Sequence, residues 1–265
     1  MSETLVLYEP RPPAVVITLN RADKRNALSR GLIAAMVEAF EKARDDAAVR
    51  CVILTGAGSV FCAGMDLAEL AESLERSTQP RAKPDSVWDD ALRLATLYDV
   101  IYSLAKPTIA AVNGAAVAGG AGLVTVCDLA VAVPEARFGY PEVRRGLVAA
   151  MVMPHLLRHV GERMARYLLL TGDLIDAEEA YRTGLVNAVV PPAELLERAY
   201  EWARSAAEGG PKALAATKAL LKQFSRQAVS LEEAAKASAA PRLGEECQQG
   251  LRAFFAKEAV PWAPG

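Results

Sequence analysis

The sequence predicts an α/β fold with a helical carboxy-terminal region, and three observations carry that prediction. Strand-like and helix-like patterns alternate as far as about Val190, and only helical patterns follow. The 265 residues are 52% hydrophobic, enough for a substantial core in one large unit with an appendage. Thr108 to Gly122 (TIAAVNGAAVAGGAG) reads as a buried strand running into a glycine-rich turn and a helix start. The expected division is a core over 1–190 and a helical region over 191–265.

Leu5–Tyr8 and Val15–Leu19 read as strands separated by Pro10-Arg-Pro-Pro13, a cluster that marks a turn and cannot occupy a central strand. Asn20–Asn26 is a polar loop carrying Arg21, Lys24 and Arg25, which on residue types alone is solvated charge. Ser29 suits the N-cap of a helix over Arg30–Asp45, with Leu32, Ile33, Met36, Val37 and Phe40 at helical spacing. A buried strand over Val49–Thr55 ends at Gly56-Ala57-Gly58, and the small residues of Ser59–Asp66 permit a sharp bend. Helices are expected over Leu67–Arg76 and Asp89–Leu104, joined by a polar, proline-bearing connection at Ser77–Pro84.

After the strand Thr108–Val112, Ala118–Gly122 opens a helix towards Cys127, and a further strand covers Leu129–Val133. Leu147–Val160 reads as an apolar helix closed by Gly161, and Leu170–Asp173 as a turn. Asp176 caps a short helix over Ala177–Thr183, which Gly184 terminates. Val186–Val190 is the last strand. Helices then fill Glu194–Ala207, Pro211–Phe224, Ser230–Ala239 and Glu245–Ala256.

Charge and composition narrow the function classes. A net charge of −2 gives no electrostatic case for nucleic acid. No apolar run approaches the roughly 18 residues of a membrane span, and MSETLVLYEP lacks the basic-then-apolar layout of a signal peptide. The four cysteines (Cys51, Cys62, Cys127, Cys247) have no CxxC spacing and read as reduced core thiols of a cytoplasmic protein. His155 and His159 stand four apart on one predicted helix, but there is no HExxH and no third ligand, so no metal site is expected.

The chemistry concentrates around the glycine-rich turn. A strand feeding a turn and a helix start leaves backbone N–H groups free at the positive end of a helix dipole. Downstream, Phe138-Gly-Tyr-Pro-Glu142 sets a carboxylate among apolar neighbours. On spacing alone, Glu142 is as readily a surface glutamate after a proline as a proton shuttle. Free N–H donors and a desolvated carboxylate together suit chemistry beside a carbonyl.

An ordered set of blocks then makes a resemblance clear: Asn20-Arg21, Asn26-Ala27-Leu28, Leu54-Thr55-Gly56, Phe61-Cys-Ala-Gly-Met-Asp66, Ala110-Ala-Val-Asn-Gly114, Gly119-Gly120, Cys127-Asp128, Phe138 to Glu142, Gly146, Leu170-Thr-Gly172 and Gly184-Leu-Val-Asn187. The chain resembles the crotonase superfamily, the enoyl-CoA hydratase/isomerase enzymes. The resemblance implies a crotonase-like spiral of strand-strand-helix (ββα) turns, with carboxy-terminal helices that pack in homotrimers or homohexamers. It implies an acyl-CoA thioester substrate, with coenzyme A part of the substrate and no separate cofactor. The Met65 and Gly119 N–H groups become the oxyanion donors and Glu142 the proton donor and acceptor, desolvated by Phe138, Tyr140, Pro141 and Val143. Lys24, Arg25, Ala27, Ala63, Asp66, Leu67, Gly120 and Gly122 become substrate-binding residues. The Ser77–Pro84 connection takes the place of the family's variable lid, and Leu251, Phe254 and Phe255 supply apolar surface for association.

Two departures matter. Two-glutamate hydratases carry their other carboxylate three positions after the oxyanion glycine, where this chain has Gly122. Water would then be held elsewhere, with Asp66, Glu69 or the main chain around Gly146 as the nearest candidates. The second departure is Leu147-Val-Ala-Ala-Met-Val152, where many hydratases have Pro-Gly-x-Gly, and Ala150 there also lacks the acid used by dienoyl-CoA isomerases and related hydrolases. The expected activity is reversible hydration of a 2-trans-enoyl-CoA in fatty-acid or branched-chain acyl-CoA metabolism. The alternatives are a 3,2-enoyl-CoA isomerase using Glu142 alone, or a catalytically weak acyl-CoA-binding or RNA-associated relative.

Overall fold

A computed structural model describes residues 4–77, 86–225 and 231–259. The connection expected as a lid lies, beyond Ser77, at 78–84, outside the described residues.

The chain opens with β1 (Val6–Arg11) and β2 (Ala14–Leu19), an antiparallel pair that sets Pro10 opposite Val15. The expected turn is therefore shorter than read, because β1 continues through Pro10. It does so as the outer strand of its sheet, where a missing N–H is tolerated. α1 (Arg30–Asp45) follows, and Ser29 caps it by accepting a hydrogen bond from Leu32 N at 3.2 Å.

Three turns of strand, strand and helix come next. The first is β3 (Cys51–Gly56), β4 (Val60–Cys62), α2 (Leu67–Ser77) and α3 (Ser86–Tyr102). The second is β5 (Thr108–Val112), β6 (Ala115–Val117) and α4 (Gly119–Val126). The third is β7 (Leu129–Ala132), β8 (Arg137–Gly139), a 3-10 turn over Pro141–Arg145 and α5 (Met153–Thr171). The first strand of each turn enters a sheet ordered β1-β2-β3-β5-β7 and the second enters a sheet ordered β4-β6-β8. From β2 to β7 the first sheet is parallel, with Ile53 opposite Ile109 and Ala111 opposite Val131. β3 and β5 are buried along their whole length, as expected of parallel strands covered on both faces.

β9 (Leu174–Asp176) closes the second sheet antiparallel to β8, α6 (Ala177–Arg182) is capped by Asp176, and β10 (Ala188–Val189) pairs with β7. The helices α7 (Leu195–Ala207), α8 (Pro211–Phe224), α9 (Leu231–Ala239) and α10 (Glu245–Ala256) complete the chain. α7 lies on β3, β5 and β7, with Leu195, Ala199 and Ala203 at four-residue spacing in the main core, so packing is continuous across residue 190. α9 packs on α3, and α10 on the 3-10 turn after β8. A second apolar cluster joins Leu70, Leu74, Val87 and Ala91 to Ala235, Cys247 and Leu251.

Three expectations are corrected. β4, β6, β8 and β9 are not readable, because three residues are too few to show a period. The apolar run after Gly146 is not helical until Met153, and the helix passes through a kink at Gly161 (φ 70°, ψ 168°) to reach Thr171. Leu251 is 4% exposed against its own chain, so it offers no surface to a neighbouring molecule within this fold. Among the described residues no helix is long and apolar enough to cross a membrane.

Candidate active site

The site begins with the loop before α1. Asn26, fully buried, accepts from Arg21 N at 2.9 Å and donates to the carbonyls of Ala57 and Val60 at 2.9 and 2.7 Å. These bonds tie the loop to the end of β3 and the start of β4. Arg21 reaches on to Ala27 O at 3.1 Å and to the Asp66 carboxylate at 2.6 Å. Lys24 and Arg25 are left exposed on the loop surface, as the residue-level reading had it, and both also border the main cavity.

The first glycine turn is held from both sides. Leu28 N donates to Gly64 O at 2.8 Å and Asp66 N donates to Leu28 O at 3.1 Å, which brackets Met65. Gly64 adopts φ +90°, and a Cβ on it would stand 2.8 Å from Ala118 Cβ and 3.3 Å from Gly119 N. The second turn therefore lies directly against the first. Ala118 N donates to Gly139 O at 2.8 Å, and α4 starts at Gly119. Neither the Met65 N–H nor the Gly119 N–H donates a hydrogen bond among the described residues.

Both turns open on a cavity of about 610 Å³. Its wall brings together Lys24, Arg25, Ala27, Ala63, Met65, Asp66, Leu67, Gly119 and Glu142. Gly120 and Gly122 are not on that wall: both are buried in α4. A Cβ on Gly120 would overlap the Cys62 carbonyl oxygen and lie 2.8 Å from its carbon, so this glycine is needed for close packing. A Cβ on Gly122 would overlap the Tyr98 hydroxyl and lie 2.6 Å from Val152 Cγ1.

Glu142 sits in the 3-10 turn after β8, which Pro141 opens and Gly146 closes in the left-handed region. The residue keeps some exposure, yet its Oε2 is buried without a hydrogen-bond partner. Loss of water pushes the carboxyl up to about 7, and Arg145 and Arg242 only partly offset this. Phe138 and Tyr140 are fully buried nearby in sequence, whereas Val143 is 38% exposed and does not share in the desolvation.

The candidates for holding water are otherwise engaged. Asp66 accepts from the first amides of α2 as well as from Arg21; burial works against its charge, but these bonds keep the carboxyl below its ordinary value. Glu69 accepts from Arg30 N at 2.7 Å, and Gly146 is pressed against the backbone of Glu246 and Cys247.

Three cavity residues had no sequence signal. Tyr98, on α3, is buried and donates its hydroxyl to Gly119 O at 2.8 Å. Burial holds this phenol un-ionised, and the neighbouring Glu142 acts in the same direction. Ser238 and Arg242 reach the same wall from the carboxy-terminal helices. The smallness of Gly122 becomes a clue to Tyr98 only once α3 is known to face it.

The remaining candidates are inert. Burial pushes the Cys62 and Cys127 thiols up to about 12, and all four cysteines are free. His155 packs edge-on against Tyr102, and His159 contacts Thr125 O at 2.9 Å through its Nε2. No cluster of three metal-ligating side chains occurs among the described residues.

A spiral of strand-strand-helix turns that sets two glycine turns and one desolvated carboxylate around a single cavity defines a class of acyl-thioester enzymes. The sequence profile described as enoyl-CoA hydratase/isomerase matches residues 13–264. A Thermus thermophilus protein named "Putative enoyl-CoA hydratase" is 44% identical over 246 residues, 91% of this chain and 94% of that one. The 2,3-dehydroadipyl-CoA hydratase of Escherichia coli is 34% identical, with 97% of each chain covered. The crystal structure of an enoyl-CoA hydratase/isomerase from Xanthobacter autotrophicus superposes with a TM-score of 0.84 at 30% identity, covering 99% of this chain and 100% of the other. The chain belongs to the enoyl-CoA hydratase/isomerase family.

Proposed function

We propose that the protein is an enoyl-CoA hydratase that adds water reversibly across the 2-trans double bond of an enoyl-CoA thioester. The observation that carries this reading is the pair of unused N–H donors at Met65 and Gly119, facing one cavity with the unpartnered Oε2 of Glu142. The thioester oxygen accepts from both N–H groups, which draws electron density from C3 and stabilises the enolate that follows. By analogy with other oxyanion holes, each donor lowers the barrier by roughly 3 kcal/mol. Ionised Glu142 takes a proton from water as its oxygen bonds to C3, then delivers a proton to C2. Lys24 and Arg25, exposed at the cavity edge, suit the phosphates of coenzyme A. This chemistry needs no cofactor beyond the coenzyme A that the substrate carries.

The second carboxylate of two-glutamate hydratases has no place at Gly122, and the Tyr98 hydroxyl occupies the room it would need. Because that hydroxyl donates to Gly119 O, its lone pairs remain free to accept from a water that also faces Glu142. Tyr98 thus orients the water without competing for its proton. Tyr98→Phe is expected to slow crotonyl-CoA hydration at least tenfold with little change in affinity for a saturated acyl-CoA. An unchanged rate removes Tyr98 from this role.

The missing carboxylate also favours a second reading, 3,2-enoyl-CoA isomerisation by Glu142 alone, which needs no held water. A homotrimer or homohexamer fits the family resemblance, and four buried, unpaired thiols fit a reducing compartment such as the cytoplasm.

A further inference from the structure

We infer that the acyl pocket takes a chain ending in a carboxylate, and that Arg242 is the group that receives it; this rests on the acyl-CoA reading of the site. Arg242 stands in a short 3-10 turn between α9 and α10 and is 4% exposed, yet it is one of the residues that line the cavity. Its NH2 donates to Ser238 Oγ at 3.1 Å, while its NH1 is buried with no partner. No carboxylate forms an ion pair with it among the described residues. Asp90, an acid whose charge reaches it, is already engaged by Arg30, Arg93 and Ser73.

A cation withdrawn from water with one nitrogen unserved is unfavourable unless an anion completes it. Glu142 does not do so: it lies outside ion-pair distance, and its own Oε2 is unpartnered. The surroundings fit a small anion. Ser238 Oγ accepts from Arg242, and among the described residues its O–H donates to no other group. One carboxylate oxygen can then accept a charge-assisted hydrogen bond from Arg242 NH1 while the other accepts one from the Ser238 hydroxyl. The segment bearing both residues packs on α3, which carries Leu94 and Tyr98 to the same cavity. Arg242 also lies within electrostatic reach of Glu142, so the carboxylate belongs to the acyl part of the substrate.

The test compares two unreactive esters of equal chain length, glutaryl-CoA and pentanoyl-CoA, by isothermal titration against the wild-type protein and Arg242→Met. Wild type is expected to bind glutaryl-CoA at least tenfold more tightly, and Arg242→Met to weaken glutaryl-CoA at least tenfold more than pentanoyl-CoA. Equal affinities, or tighter pentanoyl-CoA, overturn the inference while leaving the acyl-CoA reading intact. So does an equal loss for both esters in the variant, which makes Arg242 a residue that acts on the protein alone. If Arg242→Met does not fold, the wild-type ratio decides. Failure of both esters to bind defeats the acyl-CoA reading and the inference with it.

Discussion

At Glu142, the proposed proton shuttle, the fold makes a negative charge costly. Its carboxyl lies at about 7 instead of 4.5, chiefly through burial. Both hydration and its reverse start from the ionised form, so kcat/KM should fall about tenfold per pH unit below that value. A profile flat down to pH 5 contradicts the assignment. Stability moves the other way. The folded state holds the proton that the unfolded chain releases, so this group's contribution declines as pH rises from about 4.5 to about 7. Glu142→Gln should therefore gain stability over wild type at pH 8 and not at pH 4, by at most about 3 kcal/mol. Chemical denaturation at the two pH values measures this. Much of this residue was legible: a glutamate after Phe-Gly-Tyr-Pro, within the family blocks, has few other readings. Tyr98 and Arg242 were not, since nothing local distinguishes a tyrosine on an apolar helix face or an arginine in a short turn between two helices. Each acquires meaning only through a partner distant in sequence, Gly122 for the first and the cavity for the second.

The elements that carry the site are short, and their geometry depends on small residues. Gly120 has no room for a methyl group beside the Cys62 carbonyl, so Gly120→Ala must push α4 away from β4. Overpacking of this kind costs about 1–3 kcal/mol, more when the obstacle is backbone. A lowered melting temperature with a larger loss of turnover is expected, because the Gly119 N–H moves with α4. An unchanged melting temperature would mean that the two turns yield easily. Long elements with a clear period were legible: Arg30–Asp45, Thr108–Val112 and Glu245–Ala256 have the predicted bounds. Those that failed had a physical reason to mislead. β1 survives Pro10 because it is an outer strand, and the apolar run before Met153 looked helical because a cavity wall selects the same side chains as a helix core.

At the scale of the molecule, the carboxy-terminal helices both close the site and complete the core. α7 seals the parallel sheet, while α9 and α10 return to α3 and the Glu142 turn and bring Ser238 and Arg242 to the cavity. Phe254 and Phe255 also line the cavity, at 41% and 52% exposure, so their apolar surface serves the site as well as any neighbour. If association still follows the family pattern, sedimentation at micromolar concentration should show a trimer or hexamer, and a stable monomer would count against it. In the proposed reaction one carboxylate and two backbone donors, with Tyr98 holding water, perform hydration. Its most direct test follows crotonyl-CoA and 3-hexenoyl-CoA side by side on purified wild type and Glu142→Gln. Wild type is expected to hydrate crotonyl-CoA faster than it isomerises 3-hexenoyl-CoA, and Glu142→Gln to lose roughly 100-fold or more in turnover while still binding acyl-CoA. Isomerisation without hydration, or a Glu142→Gln variant that turns over like wild type, would contradict it.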